Sequence, residues 1–573
     1  LTLSPAMAAL ILKPRVHDAP SAGWRGYPKR LANGFNRGFE RLSGKYGRLT
    51  ARVVRSLLVV CIAYVALIGL TGWRFNETPT GFIPAQDQGF LIGVVQLPPG
   101  SALDRTDEVL RQAAAIARDN PNVTGNMAFA GFDGATFTNA SNAGAIFIIL
   151  DEFGERASSG EVAQELRQAF GQITAGNILV VEPPPVRGIG TGGGYKMVIE
   201  DRAGQGYRAL EAVTMQMMAA ANQDPGLTSV FSTFNTRTPR LTADVDRERA
   251  EQIGVPVENV FSTLGTYLGS TYVNDFNYLG RTYRVTAQAD APYRDDREDI
   301  TQLRTRSAAG EMVPLGAVLS IRDDSGPYRV VRYNLYPSAE LQGETVAGYS
   351  SGQSLDRMEA LADQILPQGF AHEWTELAYQ QKQAGDTGIF VFGLAVLFVF
   401  LLLAAQYESL VLPLAVILIV PMCLLAAIVG VGLMGLDNNI LTQIGLVVLI
   451  GLAAKNAILI VEFARQAEAE GLSIRKAAER AAAQRLRPIL MTSIAFILGV
   501  LPLVIGTGPG AEMRQALGVA VFFGMIGVTL FGLLFTPAFY VISRKLGDRT
   551  AQMMRRSRPA AEQKPTAKGA PAE

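Results

Sequence analysis

The sequence predicts an α-helical membrane protein with six full spans, one partial span and a large α+β domain outside the membrane, made of ferredoxin-like βαβ subdomains. Two observations predict the membrane class. Hydrophobic residues make up 49% of the 573-residue chain, and six apolar runs are long enough to cross about 30 Å of hydrocarbon. A third observation, the strand and helix order of the span-free segment 74–386, predicts the subdomains.

The partial span comes first along the chain. Residues 1–12 form an apolar run of about half a span, with no basic segment before it and no initiator Met. We therefore expect the cut end of a transmembrane helix rather than a signal peptide, and a chain that is a piece of a longer protein. The full spans are expected at 54–73, 387–405, 410–434, 439–464, 488–507 and 516–541, so that five of them fill 387–541.

The distribution of Lys and Arg sets the orientation. Segment 13–53 is rich in basic residues and contains only Asp18 and Glu40 as acids, so we expect a cytoplasmic linker that includes an amphipathic helix. The 465–487 loop and the tail 542–573 are also basic. An even number of spans returns the chain to the side on which it started, so six spans that start in the cytoplasm also end there. Segment 74–386 then lies on the outer side. The tail is rich in Ala, Pro and Lys, which predicts disorder.

The outer segment reads as two similar subdomains and an insertion. In 74–183, a strand at 89–97 is followed by a helix at 101–119 with Ser101 as its cap, two strands, a helix and a strand. The second subdomain takes 184–238 and 327–386. The insertion, 239–326, has short helices and hairpins of a different character.

Several function classes are excluded by composition and spacing. A net charge of +1 argues against nucleic acid as a partner. Cys61 and Cys423 lie in apolar runs, which argues against a disulfide framework, and neither His17 nor His372 has a neighbour at metal-ligand spacing. The run "GIGTGG" at 188–193 leads into a strand, unlike a nucleotide loop, and no P-loop motif occurs.

An aromatic segment, 127–147, is more informative. Phenylalanines flank a Gly-, Ala- and Asn-rich loop between two strands, and they are Phe129, Phe132, Phe137 and Phe147. One interpretation is a loop that covers a core. The other is a flexible, aromatic-lined site suited to varied apolar ligands.

Lys455 is the most unusual residue of the spans. It falls near the middle of the run 439–464, where a charged side chain costs roughly 2.5–3.5 kcal/mol. Glu462 is two turns away, about 10 Å along the helix, and no Asp or Glu lies at mid-depth in any of the six runs. We expect the neutralising acid to come from outside this chain.

Four stretches carry a family resemblance, and they are "GFIPAQDQGF", "LAAQYESL", "GLAAKNAILIVEFA" and "RLRPILMTSIAFILGVLPLVIGTG". They resemble the hydrophobe/amphiphile efflux branch of the resistance–nodulation–division superfamily, the proton-driven multidrug pumps of Gram-negative inner membranes. The resemblance covers nearly the whole chain and aligns it with the C-terminal half of such pumps. It implies two porter subdomains and a docking insertion in a periplasmic domain.

The resemblance also assigns roles to residues. It places Lys455, Arg485 and Thr492, with the neighbouring Asn456, in a proton relay whose two aspartates belong to the N-terminal half. It equates 130–143 with a switch loop and puts Phe129 and Phe147 where pocket phenylalanines lie. Phe132 and Phe137, from the same aromatic segment, are further candidates for substrate binding. Further substrate positions, where related pumps often carry Phe, are Met127, Tyr195 and Met197.

The function that the resemblance implies is drug/proton antiport of hydrophobic and amphiphilic compounds, with the proton gradient as energy source and no cofactor or metal. It further implies a homotrimer that works with a periplasmic adaptor protein and an outer-membrane channel. Two alternatives stay open. One is a metal-ion pump of the same superfamily, and the other is a lipid-sensing membrane protein that does not transport.

Overall fold

The computed structural model describes residues 7, 9, 10, 27–346, 348–385 and 387–556. The chain divides into two compact units. The membrane unit takes Leu1–Gln86, Gly348–Gln353 and Gln383–Glu573, and the α+β unit takes Asp87–Ala347 and Ser354–Lys382. The predicted partial span at 1–12 falls almost entirely outside the described residues, as does the end of the tail after Arg556.

Sixteen α-helices occur within the described residues. In chain order they are α1 (Tyr27–Arg55), α2 (Leu57–Glu77), α3 (Leu103–Arg118), α4 (Ser159–Phe170), α5 (Tyr207–Ala221), α6 (Arg247–Gln252), α7 (Val257–Gly269), α8 (Arg297–Gln302), α9 (Ser351–Ile365), α10 (Glu376–Ala384), α11 (Thr387–Tyr407), α12 (Leu414–Ile417), α13 (Val420–Leu433), α14 (Ile440–Ala469), α15 (Ile474–Val504) and α16 (Ala511–Arg556).

Fifteen strands are found in the same part of the chain. They are β1 (Phe90–Gln96), β2 (Val123–Asp133), β3 (Thr138–Leu150), β4 (Asn177–Val181), β5 (Tyr195–Asp201), β6 (Leu227–Phe231), β7 (Thr238–Val245), β8 (Thr271–Tyr278), β9 (Arg281–Ala287), β10 (Arg304–Arg306), β11 (Met312–Pro314), β12 (Leu319–Gly326), β13 (Val331–Tyr333), β14 (Tyr336–Thr345) and β15 (Phe370–Thr375).

The membrane unit confirms the predicted count of spans. Six helical segments within the described residues are long and apolar enough to cross a bilayer. They are Leu57–Glu77, Phe390–Tyr407, Leu414–Leu433, Ile440–Ala469, Ile474–Val504 and Ala511–Arg549. Small and branched side chains from several of these helices form one buried cluster, which includes Val416, Cys423, Leu449 and Ala453. This close packing fixes the faces that remain exposed.

Two connections of the membrane unit differ from the sequence prediction. The expected loop 465–487 is mostly helix, because α14 ends at Ala469 and α15 already begins at Ile474. The tail expected from residue 542 instead continues α16 to Arg556. Arg544 explains part of this extension, since its guanidinium lies 2.6 Å from the carboxylate of Glu468 on α14.

The first subdomain of the α+β unit is a four-stranded antiparallel sheet in the order β2-β3-β1-β4. This is the ferredoxin-like order that the sequence predicts. Helices α3 and α4 contribute Leu110 and Leu166 to its buried core. The expected Ser101 cap was wrong: α3 is capped at Ala102, and the Ser101 hydroxyl donates to the carbonyl of Pro98 at 2.8 Å.

The second subdomain repeats this arrangement with distant strands. Strand β5 lies between β14 and β15, and β6 pairs with the other edge of β14. Met197, Met217 and Met358 lie in its core. Between β6 and β13, the segment 238–326 has a separate core around Val260 and Leu315. Its β8–β9 hairpin is exposed at every residue.

Candidate functional sites

Lys455 lies near the middle of α14 and on the exposed side of that helix. Its face continues through Ile444, Val448 and Gly451, which are exposed at spacings of four and three residues. The opposite face of α14, which carries Leu449 and Ala453, is buried in the helix cluster. Helical periodicity therefore directs the lysine away from the core of the membrane unit.

Within the part of the chain that the structure describes, Lys455 has no counter-charge. Among the described residues, no carboxylate oxygen lies within salt-bridge distance of the Lys455 ammonium. Glu462, the acid closest along α14, lies 3.7 Å from the guanidinium of Arg465 instead. The expectation that the neutralising acid comes from elsewhere thus remains a prediction, and the exposed face of α14 is where such an acid can approach.

The other relay candidates are only partly brought together. The Asn456 amide donates to the Ser493 hydroxyl at 3.1 Å, and both side chains are buried between α14 and α15. Thr492, the next residue on α15, is exposed, and its hydroxyl donates to the carbonyl of Ile489 at 3.1 Å. Lys455 and Thr492 therefore flank one buried hydrogen bond. Sequence reasoning did not pair Asn456 with Ser493, because the contact depends on how two helices pack.

Arg485 lies apart from this group. Thr492 is seven positions further along α15, which is a distance of about 10 Å along the helix. Its guanidinium carbon lies 3.2 Å from the ring centroid of Phe463 on α14, and its Nε is buried without a hydrogen-bond partner among the described residues. Arg485 therefore contacts the same two helices as the Asn456–Ser493 bond, two turns away.

In the α+β unit, the four predicted phenylalanines form one contiguous cluster, which we call the phenylalanine cluster. The ring of Phe129 lies edge-to-face with the rings of Phe132 and Phe147, at centroid distances of 6.5 and 5.8 Å. Phe132 in turn meets Phe137 at 5.5 Å. Phe129, Phe137 and the nearby Met127 are about half exposed. The cluster thus presents a continuous apolar surface that a flat or flexible ligand can contact.

The expected switch loop 130–143 is more ordered than the sequence suggests. Strands β2 and β3 pair as far as Asp133 and Thr138, with an irregularity between Ala130 and Phe132. The Asp133 carboxylate accepts hydrogen bonds from the backbone N–H of Ala135 and the hydroxyl of Thr136. A four-residue turn therefore replaces a long loop, and it ends at Phe137, whose φ of 54° is unusual for a side chain of this size.

Tyr195 and Met197 do not join the phenylalanine cluster. Both lie on β5 with their side chains in the core of the second subdomain, because alternate residues of a strand face the same side of the sheet. The Tyr195 ring packs edge-to-face on Trp374 at 6.2 Å. Burial raises the pKa of the Tyr195 hydroxyl, and the carboxylates of Asp224 and Glu344 raise it further.

A group of charged residues that sequence reasoning missed links the two subdomains. The Arg167 guanidinium on α4 of the first subdomain lies 2.5 Å from the Glu344 carboxylate on β14 of the second. Arg167 also donates to the carbonyl of Val180. Burial raises the pKa of Glu344 although Arg167 lowers it, and burial likewise raises the pKa of nearby Glu182.

A polar cleft also lies between the two subdomains. Its lining includes Gln96 and Asn142 from the first subdomain and Thr233 and Glu340 from the second, with Tyr328 between them. Asp133 and Thr138, which frame the turn of the phenylalanine cluster, line it as well. The aromatic cluster therefore stands beside a cleft whose walls belong to different subdomains.

The six spans define a multi-pass membrane protein. The two paired subdomains, with an aromatic cluster beside the cleft between them, form its large α+β domain. Residues 1–544 match the AcrB/AcrD/AcrF family, and the chain belongs to that family. This confirms the resemblance to resistance–nodulation–division transporters.

Three relatives illustrate the similarity. The chain is 36% identical over 557 residues to the toluene efflux pump membrane transporter TtgB of Pseudomonas putida, with 96% of this chain and 52% of the relative covered. It is 36% identical over 554 residues to the multidrug export protein AcrF of Escherichia coli (strain K12), covering 95% and 53%. It is 36% identical over 559 residues to the multidrug resistance protein MdtF of the same strain, covering 96% and 53%. The chain spans about half the length of the curated relatives it matches.

Proposed function

We propose that the protein is the transport component of a proton-driven pump that exports hydrophobic and amphiphilic compounds. Membership of the AcrB/AcrD/AcrF family supports this proposal, as do relatives named for multidrug and toluene efflux. The observation that carries it is Lys455, an exposed cation near the middle of a membrane span with no carboxylate partner among the described residues. In this proposal the protein lies in the Gram-negative inner membrane, with its α+β unit in the periplasm.

Energy coupling rests on the pairing of Lys455. A lone charge at mid-bilayer depth costs roughly 2.5–3.5 kcal/mol, so an acidic side chain that approaches α14 is strongly favoured. Protonation of that acid removes its charge and releases the lysine. The buried hydrogen bond between Asn456 and Ser493 joins α14 to α15, and in this proposal it passes a shift of α14 on to α15. A proton thereby changes the packing of two spans, and no cofactor is required.

Substrate binding rests on the phenylalanine cluster. Its edge-to-face rings are partly exposed and lie beside a polar cleft. Apolar contact of this kind is weakly selective, which suits ligands of varied structure. Relative movement of the two subdomains would open or close the cleft. Met127 extends this surface, whereas Tyr195 and Met197 support the second subdomain from its core.

Partners complete the proposal. The exposed β8–β9 hairpin has no cover within the described residues and carries the aromatic residues Phe276, Tyr278 and Tyr283. An isolated two-stranded hairpin is marginally stable in water, which favours contact with another chain. We assign it to a homotrimer interface and to the assembly with a periplasmic adaptor and an outer-membrane channel.

The test uses Gram-negative cells that lack their own efflux pumps. The chain is expressed alone and together with an N-terminal half that carries two mid-span aspartates, and resistance to amphiphilic dyes is measured. We expect resistance from the pair, its loss with Lys455→Ala, and no loss with Lys476→Ala, which removes an exposed lysine near the start of α15.

Three outcomes would contradict the proposal in different ways. Resistance at full level from a well-expressed Lys455→Ala pair would remove Lys455 from energy coupling. Resistance from the chain alone, lost on Lys455→Ala, would show that the acid partner is not supplied by that half. Tolerance of copper or zinc without dye resistance would favour a metal-ion pump.

A further inference from the structure

Helix α1 has three distinct faces, and one of them is hydrogen-bonded to α15 and α16. On the packed face, the Ser43 hydroxyl donates to the carbonyl of Ala483 on α15 at 3.0 Å, and the Tyr46 hydroxyl donates to the carbonyl of Leu533 on α16 at 2.8 Å. Thr50 and Val54 on the same side are buried. These contacts hold α1 along the ends of two spans and fix the direction of its remaining faces.

The second face is an exposed apolar stripe. Phe35, Leu42 and Leu49 follow one another at intervals of seven residues, which places them on one line along the helix. All three are among the exposed large hydrophobic side chains of the structure. A row of this kind on a soluble surface is unfavourable, so it calls for an apolar or interfacial neighbour.

The third face is a basic stripe that adjoins the apolar one. It consists of exposed residues at spacings of three and four, and they are Arg37, Arg41, Lys45, Arg48, Arg52 and Arg55. Among the described residues none of the six lies in a salt bridge, and the only acid on α1 is Glu40. Like charges at these spacings repel one another along a helix. An anionic surface would remove that repulsion.

The position of α1 identifies the surface. The helix ends at Arg55, and only Ser56 separates it from α2, a span whose first turns expose Leu58 and Val59. The last basic residues of α1 therefore lie at the boundary of the bilayer. Basic side chains beside an apolar row are the arrangement that binds a membrane interface. Anionic phospholipid is the complementary partner that this boundary contains.

We propose that α1 is a binding site for anionic phospholipid headgroups, with its apolar stripe at the level of the headgroups and acyl chains and its basic stripe on the lipid phosphates. The inference does not depend on transport. It has a consequence for the membrane unit, because α1 contacts α15 through Ser43 and through Arg487, whose guanidinium lies 5.9 Å from the ring of Phe35. Bound anionic lipid would hold α15 in place through α1.

The experiment uses the full chain in a neutral detergent and a fluorescent phosphatidylglycerol as the probe. Unlabelled phosphatidylglycerol, phosphatidylcholine and inorganic phosphate serve as competitors. We expect competition by phosphatidylglycerol alone, and weaker binding as salt rises. Since each basic residue near an anionic surface contributes about a fivefold factor, the triple variant Arg41→Gln/Lys45→Gln/Arg48→Gln should bind on the order of a hundredfold more weakly.

Two further variants keep the test decisive. Arg41→Lys/Arg48→Lys retains the charges and should bind within about threefold of the original chain, since the interaction is chiefly with point charges. The triple variant Arg208→Gln/Arg247→Gln/Arg281→Gln removes the same net charge from exposed positions of the α+β unit and should bind normally. Equal competition by phosphatidylcholine, displacement by inorganic phosphate, or unchanged affinity of the α1 triple variant would overturn the proposal.

Discussion

Replacing Phe129 by Ala separates a ligand-binding role of the phenylalanine cluster from a structural one. The ring is 47% exposed, so only about half of it is packed against the protein. A fully buried Phe→Ala change costs about 3–5 kcal/mol, and half of that range gives about 1.5–2.5 kcal/mol of lost stability for Phe129. The variant should therefore still fold.

The expected loss of ligand affinity follows from the exposed half of the ring. A Phe side chain offers about 200 Å² of surface, so the exposed fraction provides on the order of 90 Å² for contact with a ligand. At about 25 cal/mol per Å² this contact is worth about 2 kcal/mol, or at most about thirtyfold in Kd. Binding of rhodamine 6G to the purified chain, followed by fluorescence anisotropy, measures the change.

Two control variants make the result interpretable. Phe170→Ala removes a ring that is 2% exposed in the core of the same subdomain, so it should destabilise by about 3–5 kcal/mol without changing affinity per folded molecule. Phe261→Ala removes a ring on α7 that is 51% exposed, and dye binding should not change. If Phe129→Ala lowers binding only in proportion to its lost folded fraction, as Phe170→Ala does, the cluster is structural.

Three further predictions concern other parts of the molecule. Ser493→Ala should destabilise the chain by about 1–3 kcal/mol, because it leaves the buried Asn456 amide without a hydrogen-bond partner. As a control, Thr492→Val changes an exposed residue and should leave the thermal midpoint of unfolding nearly unchanged. Equal changes of the thermal midpoint in the two variants would contradict the packing described. Since burial raises the pKa of Glu182 in the folded state, its ionised form is disfavoured and folding stability falls as pH rises from the ordinary carboxyl range through that raised pKa. Glu182→Gln should therefore raise the thermal midpoint more at pH 8 than at pH 4, and a gain that is larger at pH 4 would refute the assignment. Finally, a photo-cross-linker at Tyr278 should join neighbouring chains in the assembled protein, and labelling of lipid alone would count against the interface.

The parts of the fold that the sequence predicts are those encoded by local patterns. Six spans appear as long apolar runs, and the two ferredoxin-like subdomains appear as an order of strands and helices. The N-cap of α3 shows that local sequence rules can also fail. The Ser101 hydroxyl donates a hydrogen bond to the carbonyl of Pro98, and Ala102 is the N-cap residue instead. Residues 474–487 are a second example of such a failure. Their basic, alanine-rich sequence predicts a loop, but they form the first turns of α15 and so extend a span.

The candidate sites divide in the same way. Phe129 and Phe147 could be grouped in advance, because they lie on strands that are adjacent in sequence and pair directly. Met197 could not be placed, since a strand pattern gives alternation but does not say which side faces the core. The ion pair of Arg167 and Glu344 joins residues far apart in the chain, and only the docking of one subdomain on the other creates it.

The strand order of the second subdomain has a consequence for biosynthesis. Strand β5 pairs with β14 and β15, yet β14 begins about 135 residues after β5 ends. At synthesis rates of about 5–20 residues per second, the first residue of β14 is made roughly 7–27 seconds after β5 is complete, and β15 is made later still. During that interval both of its edges can pair with other chains. The segment 238–326 has a core of its own and can fold in the meantime. Newly made protein therefore passes through a stage in which β5 is complete but neither of its edges has its native partner.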